Sequence, residues 1–279
     1  MKELIKRILK RLKIYYLLQS RYRSIINFFK RSYYRFSYNK YRNSGFECNF
    51  CGARFQRFVP DFPSPNIKNV IEKYQVIAGY GENVFCPRCL SKNRERLVKV
   101  LLTHYLDFSG KKILHFSPEK NVFNYIKDKA DVVTVDVEPG FYKSIDNRVS
   151  KADLTQLHYS DNEFDLIICN HIFEHIPDDL KAMSELYRVL KNDGYAIVQV
   201  PFSEEISTTI EDPKISDPDL QEKLFGQRDH VRIYALKDYL GRLCKTGFVV
   251  ELISSEELQQ YSKYALQKYE CGIIAQKKE

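Results

Sequence analysis

The stretch Phe164-Asp165-Leu166-Ile167-Ile168-Cys169-Asn170-His171-Ile172-Phe173-Glu174-His175-Ile176-Pro177 decides the fold. An apolar run of strand length, Phe164 to Cys169, stops abruptly on Asn, His and Glu. A strand apolar at consecutive positions is buried on both faces, as in parallel sheets covered by helices. Polar groups crowded just after it mark the carboxyl end of such a strand, where open α/β sheets bind ligands.

Working outward, the same grammar repeats. Strand runs are read at Lys112–Phe116, Val132–Val137, Tyr195–Val200, Phe248–Ile253 and Cys271–Gln276. Helical patterns lie between them at Val122–Lys129, Asp179–Leu190 and Leu236–Cys244, after a stripe of Leu97, Val100, Leu101, His104 and Tyr105. Strands alternating with helices predict a parallel sheet with both faces covered. The polar residues that follow the strands are then His115, Ser117 and Glu119; Asp136; Asp153 with Leu154; and Asn170, His171, Glu174 and His175. A carboxylate ending the second strand suits the hydroxyls of a ribose, and an Asp after the third suits an adenine amino group. With no G-x-G-x-x-G turn, a nucleoside ligand without a pyrophosphate fits better than a dinucleotide.

Two C-x-x-C pairs, Cys48/Cys51 and Cys86/Cys89, precede this region. Two such turns supply four thiolates for tetrahedral Zn²⁺, and a closed set of four leaves no position for water, so the site is read as structural. Gly52 frees the first turn to fold toward its sulfurs. The Pro- and Gly-bearing segment between the pairs reads as a loop-rich excursion. Cys169, Cys244 and Cys271 read as core thiols.

The net charge of +8 is unevenly spread. Residues 1 to 45 hold 13 Lys and Arg against the single acid Glu3, leaving −4 for the other 234 residues. That split excludes a uniformly basic nucleic-acid coat protein, and 44% apolar with 14% aromatic residues excludes a disordered chain. Ile5, Ile8, Leu9, Leu12 and Tyr16 recur at helical spacing among lysines and arginines, the pattern of a basic amphipathic helix for an anionic membrane surface. A second stretch, Ile25 to Phe36, interleaves aromatics with bases; docking on the body and single-stranded RNA are its other readings. No apolar run is long enough to span a bilayer and no cleavage site is evident, so the body is placed in the cytoplasm, with a peripheral location on the inner membrane face.

Taken together, Asp136, Asp153-Leu154, the Phe164–Pro177 stretch and Leu186-Tyr187-Arg188-Val189-Leu190-Lys191-Asn192-Asp193-Gly194 resemble a class I S-adenosylmethionine-dependent methyltransferase of the small-molecule type (type 11-like). Cys86-Pro87-Arg88-Cys89 with Arg94 and Arg96, then His115-Phe116-Ser117-Pro118-Glu119, then Phe225 to Tyr234, resemble a bacterial subgroup associated with surface-polysaccharide genes. The resemblance implies an α/β, Rossmann-like seven-stranded methyltransferase sheet in the order 3-2-1-4-5-7-6, its last strand antiparallel. The resemblance covers roughly residues 95–279, the methyltransferase domain, while charge and cysteine spacing set off a basic arm (1–45) and a zinc unit (46–94) before it. It implies S-adenosylmethionine as cofactor, with His115, Ser117, Glu119, Asp136, Asp153, Leu154, Asn170 and His171 around it. One departure stands out: Ser117 and Glu119 occupy the outer glycine positions of the usual first motif, and His115 replaces its acid.

For chemistry, Asp229-His230 reads as an orienting acid and a proton acceptor, with His175 a third catalytic candidate. The polar stretch Ser203 to Glu222 before them reads as a lid. His171, Glu174 and His175 spell H-x-x-E-H; a metalloprotease is set aside because the motif directly follows a buried parallel strand, while a divalent cation at these three residues is retained. Arg94, Arg96 and Arg232 are candidates for an anionic acceptor. His104 and His158 receive no role. The leading expectation is O-methylation of a sugar or glycan intermediate at the cytoplasmic membrane face. An RNA methyltransferase and a non-catalytic interaction protein on the same scaffold are the alternatives.

Overall fold

A computed structural model describes residues 14–212 and 214–279. The amphipathic positions expected at Ile5 to Leu12 lie outside the described residues.

Among the described residues, the α-helices longer than one turn are α1 (Ile14–Ser37), α2 (Pro65–Tyr74), α3 (Asn93–His104), α4 (Lys120–Ile126), α5 (Asp179–Val189), α6 (Pro218–Phe225) and α7 (Leu236–Lys245). The central sheet contains β1 (Lys112–Phe116), β2 (Asp131–Asp136), β3 (Ser150–Lys151), β4 (Phe164–Ile168), β5 (Leu190–Ile197), β6 (Val249–Ile253) and β7 (Gly272–Gln276). Their spatial order is β3-β2-β1-β4-β5-β7-β6, and β7 runs antiparallel to both its neighbours. This is the 3-2-1-4-5-7-6 order that the resemblance implied.

Alternation across the strands builds two cores. Leu114, Ile167 and Ala196 point to one face, where Met183 and Leu186 of α5 and Tyr239 and Leu243 of α7 cover them. Ile113, Leu166, Ile168 and Ile197 point to the other, under Leu97 and Leu101 of α3 and Val122 and Ile126 of α4. Burial on both faces explains why these strands read as unbroken apolar runs. β5 begins earlier than expected, because Leu190 already pairs with Phe164; the register then slips before Leu166 meets Tyr195. Lys191 to Gly194, which fell between the expected helix and strand, lies in that irregular part of the strand.

The excursion between the cysteine pairs is more ordered than a loop. Strands Val59–Asp61 and Gly81–Phe85 pair antiparallel, and between them α2 starts at Pro65, a residue preorganised for a first helical turn. Val70 of α2 packs with Phe225 of α6 and with Ile233. Backbone hydrogen bonds join Ile77 to Phe202, at 2.8 and 3.3 Å. The four-cysteine unit is thus stitched to the body, and α3 follows it without a linker. Cys169 and Cys271 are buried as expected, whereas Cys244 is exposed: it lies on α7, whose Tyr239 and Leu243 face the core instead.

Candidate functional site

At the carboxyl ends of β1, β2 and β4 opens a cleft of about 850 Å³. Ser117, Glu119, Asp136, Asp153, Leu154, Asn170, His171, His175 and Asp229 all line it. Most of the candidates read from the sequence therefore line a single cleft.

The turn after β1 works without its glycine because Ser117 itself adopts the left-handed conformation, at φ +44°. Its N–H donates to Val135 O (2.8 Å) and its hydroxyl to Asp136 Oδ2 (2.6 Å), so the turn is tied directly to the end of β2. The other Asp136 oxygen accepts from the Glu138 N–H at 2.6 Å. Glu119 bridges β1 and β4: one oxygen accepts from Asn170 Nδ2 (2.6 Å), the other lies 3.0 Å from His115 Nε2. Burial pushes the Glu119 carboxyl up, but the hydrogen bond and charge of His115 and the charge of Arg94 outweigh it and hold the group below its ordinary range.

His115 requires a correction. Its side chain is fully buried, so it supports Glu119 from behind the wall and does not face the cleft. Val137 and Tyr142, which do face it, were missed, because they lie where the strand pattern gives way to an irregular loop.

A second correction concerns the acid–histidine pair. Asp229 lies beside His175: its carboxylate is 3.4 Å and its carbonyl 3.1 Å from His175 Nδ1. His230 is 4% exposed and stands edge-on to His175, ring centres 4.7 Å apart, outside the cleft lining. Burial pushes the His230 imidazole down to about 4. Glu174 is buried beneath this group; burial pushes its carboxyl up, but hydrogen bonding from His171 and the charges of the three histidines pull it down to about 2. Ligand atoms of Glu174, His175 and His230 fall within 4.8 Å of one another. That set replaces the expected His171, Glu174 and His175, although His171 Nδ1 remains 3.6 Å from Glu174.

Arg96 and Arg232 are structural. Arg96 is fully buried and donates to the carbonyls of Tyr264, Val84, Ser91, Asn83 and Ala265, at 2.6 to 3.1 Å. Arg232 pairs with Glu211 (2.8 Å) and donates to the carbonyls of Phe173, Ile176 and Pro177, fixing the loop that carries Glu174 and His175. Glu211 also pairs with Arg242 at 2.6 Å, so the stretch read as a lid is anchored at its middle.

The four cysteines converge. Cys48 and Cys89 sulfurs are 3.5 Å apart and those of Cys51 and Cys86 3.7 Å. Both turns close alike: Gly52 N–H donates to Cys48 O and Leu90 N–H to Cys86 O, at φ +66° and +63°. Zn–S bonds of about 2.3 Å place tetrahedral sulfurs ~3.8 Å apart, so the spacing fits zinc.

Residues 118–198 match the family model of a methyltransferase domain. The matched residues run from Pro118, in the turn after β1, through the whole of β5 and take in part of the cleft lining. An uncharacterized protein of Methanocaldococcus jannaschii is 35% identical over 80 residues, 28% of this chain and 35% of that protein, so the chain matches about a third of this relative's length. Among solved structures, a complex of the Haloferax volcanii Trm112 methyltransferase activator with a methyltransferase is similar at a TM-score of 0.49 and 13% identity, covering 66% of this chain and 89% of that one. A Haemonchus contortus phosphoethanolamine N-methyltransferase 2 in complex with phosphomonomethylethanolamine and S-adenosylhomocysteine is similar at 0.44 and 17%, covering 66% and 52%.

Proposed function

We propose that the protein is an S-adenosylmethionine-dependent methyltransferase that O-methylates a sugar or glycan intermediate. The observation that carries this reading is the cleft's division of labour: carboxylates of Asp136 and Asp153 at one end, the His175–Asp229 pair at the other. The donor set suits a nucleoside: Asp136 for ribose hydroxyls, Asp153 for an amino group, and the exposed apolar side chain of Val137 for a base. Bound there, S-adenosylmethionine supplies an electrophilic methyl group.

A hydroxyl is a weak nucleophile until its oxyanion is favoured. The Asp229 carbonyl and carboxylate favour a proton on His175 Nδ1, which leaves the Nε2 lone pair for that purpose. A second reading, in which this lone pair acts through a divalent cation, draws on two buried atoms without partners, Glu174 Oε2 and His230 Nε2.

Zinc in the four-cysteine site is structural in this proposal. The arm sets the location at the cytoplasmic membrane face: Leu18, Tyr22, Ile25, Phe29, Tyr33 and Phe36 form an exposed stripe along α1, flanked by Arg21, Lys30, Arg31 and Arg35. The test is calorimetry with S-adenosylmethionine, followed by the mass shift of glycan acceptors incubated with labelled cofactor. No cofactor binding by zinc-replete protein would sink the proposal, and binding without turnover on any acceptor would favour an interaction protein. Salt-sensitive RNA binding that is lost on deleting residues 1 to 45 would favour the RNA enzyme.

A further inference from the structure

Three arginines were candidates for anion binding, and two are consumed by the fold. Arg94 is different. It stands at the second position of α3, on the cleft that Ala78 and Glu119 also line. Its guanidinium forms no ion pair or hydrogen bond with a described residue, and its Nε is buried without a partner. A buried donor left unmade costs free energy, and a half-buried guanidinium without a carboxylate costs more. Of the carboxyls near it, Glu119 is engaged by His115 and Asn170 and Glu95 by Asn121 at 2.6 Å, while Glu270 lies buried within reach of its charge but forms no ion pair or hydrogen bond with it.

We infer that Arg94 is the anion receptor of this cleft, holding a carboxylate or phosphate of a bound molecule in its planar fork. The fork of N–H donors matches both oxyanions in a bidentate manner, which an ammonium would not do. Two molecules can bring that chemistry: the cofactor, through the carboxylate of its amino-acid tail, and the acceptor, through an acidic substituent. The inference deepens the proposal above and rests on it only for the cofactor arm of the test.

Calorimetry of the full, zinc-replete chain with three ligands separates the sources: S-adenosylmethionine, 5′-methylthioadenosine, which lacks the amino-acid tail, and inorganic phosphate added to cofactor-saturated protein. Arg94→Met is compared with Arg94→Lys and the unmodified chain, with thermal melts confirming that each folds. A tenfold or greater loss for S-adenosylmethionine in Arg94→Met, with 5′-methylthioadenosine within twofold, assigns Arg94 to the cofactor tail. An unchanged cofactor affinity with a tenfold loss for phosphate assigns it to the acceptor. In either case Arg94→Lys should recover part of the loss. Unchanged binding of both S-adenosylmethionine and phosphate in Arg94→Met overturns the inference. If the unmodified chain binds no S-adenosylmethionine, the methyltransferase reading fails, and phosphate titrated into the free protein still decides Arg94.

Discussion

Asp136 serves two masters. Its carboxylate holds the turn after β1 through Ser117 and its own loop through Glu138, while its remaining lone pairs face the cleft. Asp136→Ala removes the ribose acceptor and releases the Ser117 turn together, so cofactor affinity should fall at least ~30-fold, about 2 kcal/mol for charge-assisted hydrogen bonds. Titration calorimetry reads this directly, and an unchanged affinity would contradict the assignment. A separate residue-scale effect concerns Glu270, buried just before β7, where burial pushes its carboxyl from 4.5 up to about 7. Below pH 4.5 the folded and unfolded chains both carry the proton. Between pH 4.5 and 7 the unfolded chain loses it and the folded chain keeps it, so this group's contribution to stability falls as pH rises. At ~1.4 kcal/mol per unit the loss is about 3 kcal/mol, complete near pH 7. Urea unfolding at pH 4.5 and pH 8 should show a drop that is smaller by about that amount in Glu270→Gln; equal drops in both proteins would refute it.

At the scale of elements, the four-cysteine turns and the Arg96 staple hold one corner of the molecule. Arg96 spends all five of its N–H donors on carbonyls from three segments: the Gly81–Phe85 strand with Asn83 and Val84, Ser91 after the second knuckle, and Tyr264 and Ala265 before β7. Arg96→Met leaves those carbonyls unpaired in the interior and should cost about 3–5 kcal/mol of unfolding free energy, with a guanidinium carrier of this kind irreplaceable by Lys. Zinc held by the four cysteines would brace the same corner; denaturation of zinc-replete and chelator-treated protein should then give different midpoints, and identical curves would remove zinc from the account. The strands of the sheet were legible because burial on both faces writes them as continuous apolar runs, and the convergence of the four cysteines because C-x-x-C spacing is a local signal. Other parts were written in longer-range terms. His115 and Arg96 look like site residues in one dimension, since a buried polar group that binds only protein has the same letter as one that binds a ligand. Asp229 precedes His230 in the chain but pairs with His175, because the backbone turn at residues 227–231 points successive side chains to different sides. α2 was hidden by its flanking prolines, one of which is a helix starter.

The whole molecule joins a −4 body to a +12 arm, and α1 connects them physically. Its first turns dock on the body: Tyr16 meets Phe141 edge-on at 5.2 Å, and Gly140 lies against the Tyr16 ring with no room for a Cβ. Phe141 belongs to the loop that leaves Asp136, so the arm's anchor also supports the Asp136 end of the cleft. Beyond the anchor, the exposed stripe from Leu18 to Phe36 and the absence of any acid in α1 suit an anionic interface, while no helix among the described residues is long and apolar enough to cross a membrane. Each basic residue near such a surface adds on the order of 1 kcal/mol, a contribution that salt screens, and the inserted aromatics add one that salt leaves. The two can therefore be separated. Cosedimentation with phosphatidylglycerol vesicles should exceed that with phosphatidylcholine by tenfold or more at low salt and shrink steeply as salt rises. Replacing Phe29 and Phe36 by Ser should weaken binding at every salt concentration, without altering cofactor affinity, because neither side chain belongs to the docked end. Equal sedimentation with both lipids would mean that α1 serves another partner. Loss of cofactor affinity in the Phe29/Phe36 variant would mean that the stripe, like the anchor, supports the cleft.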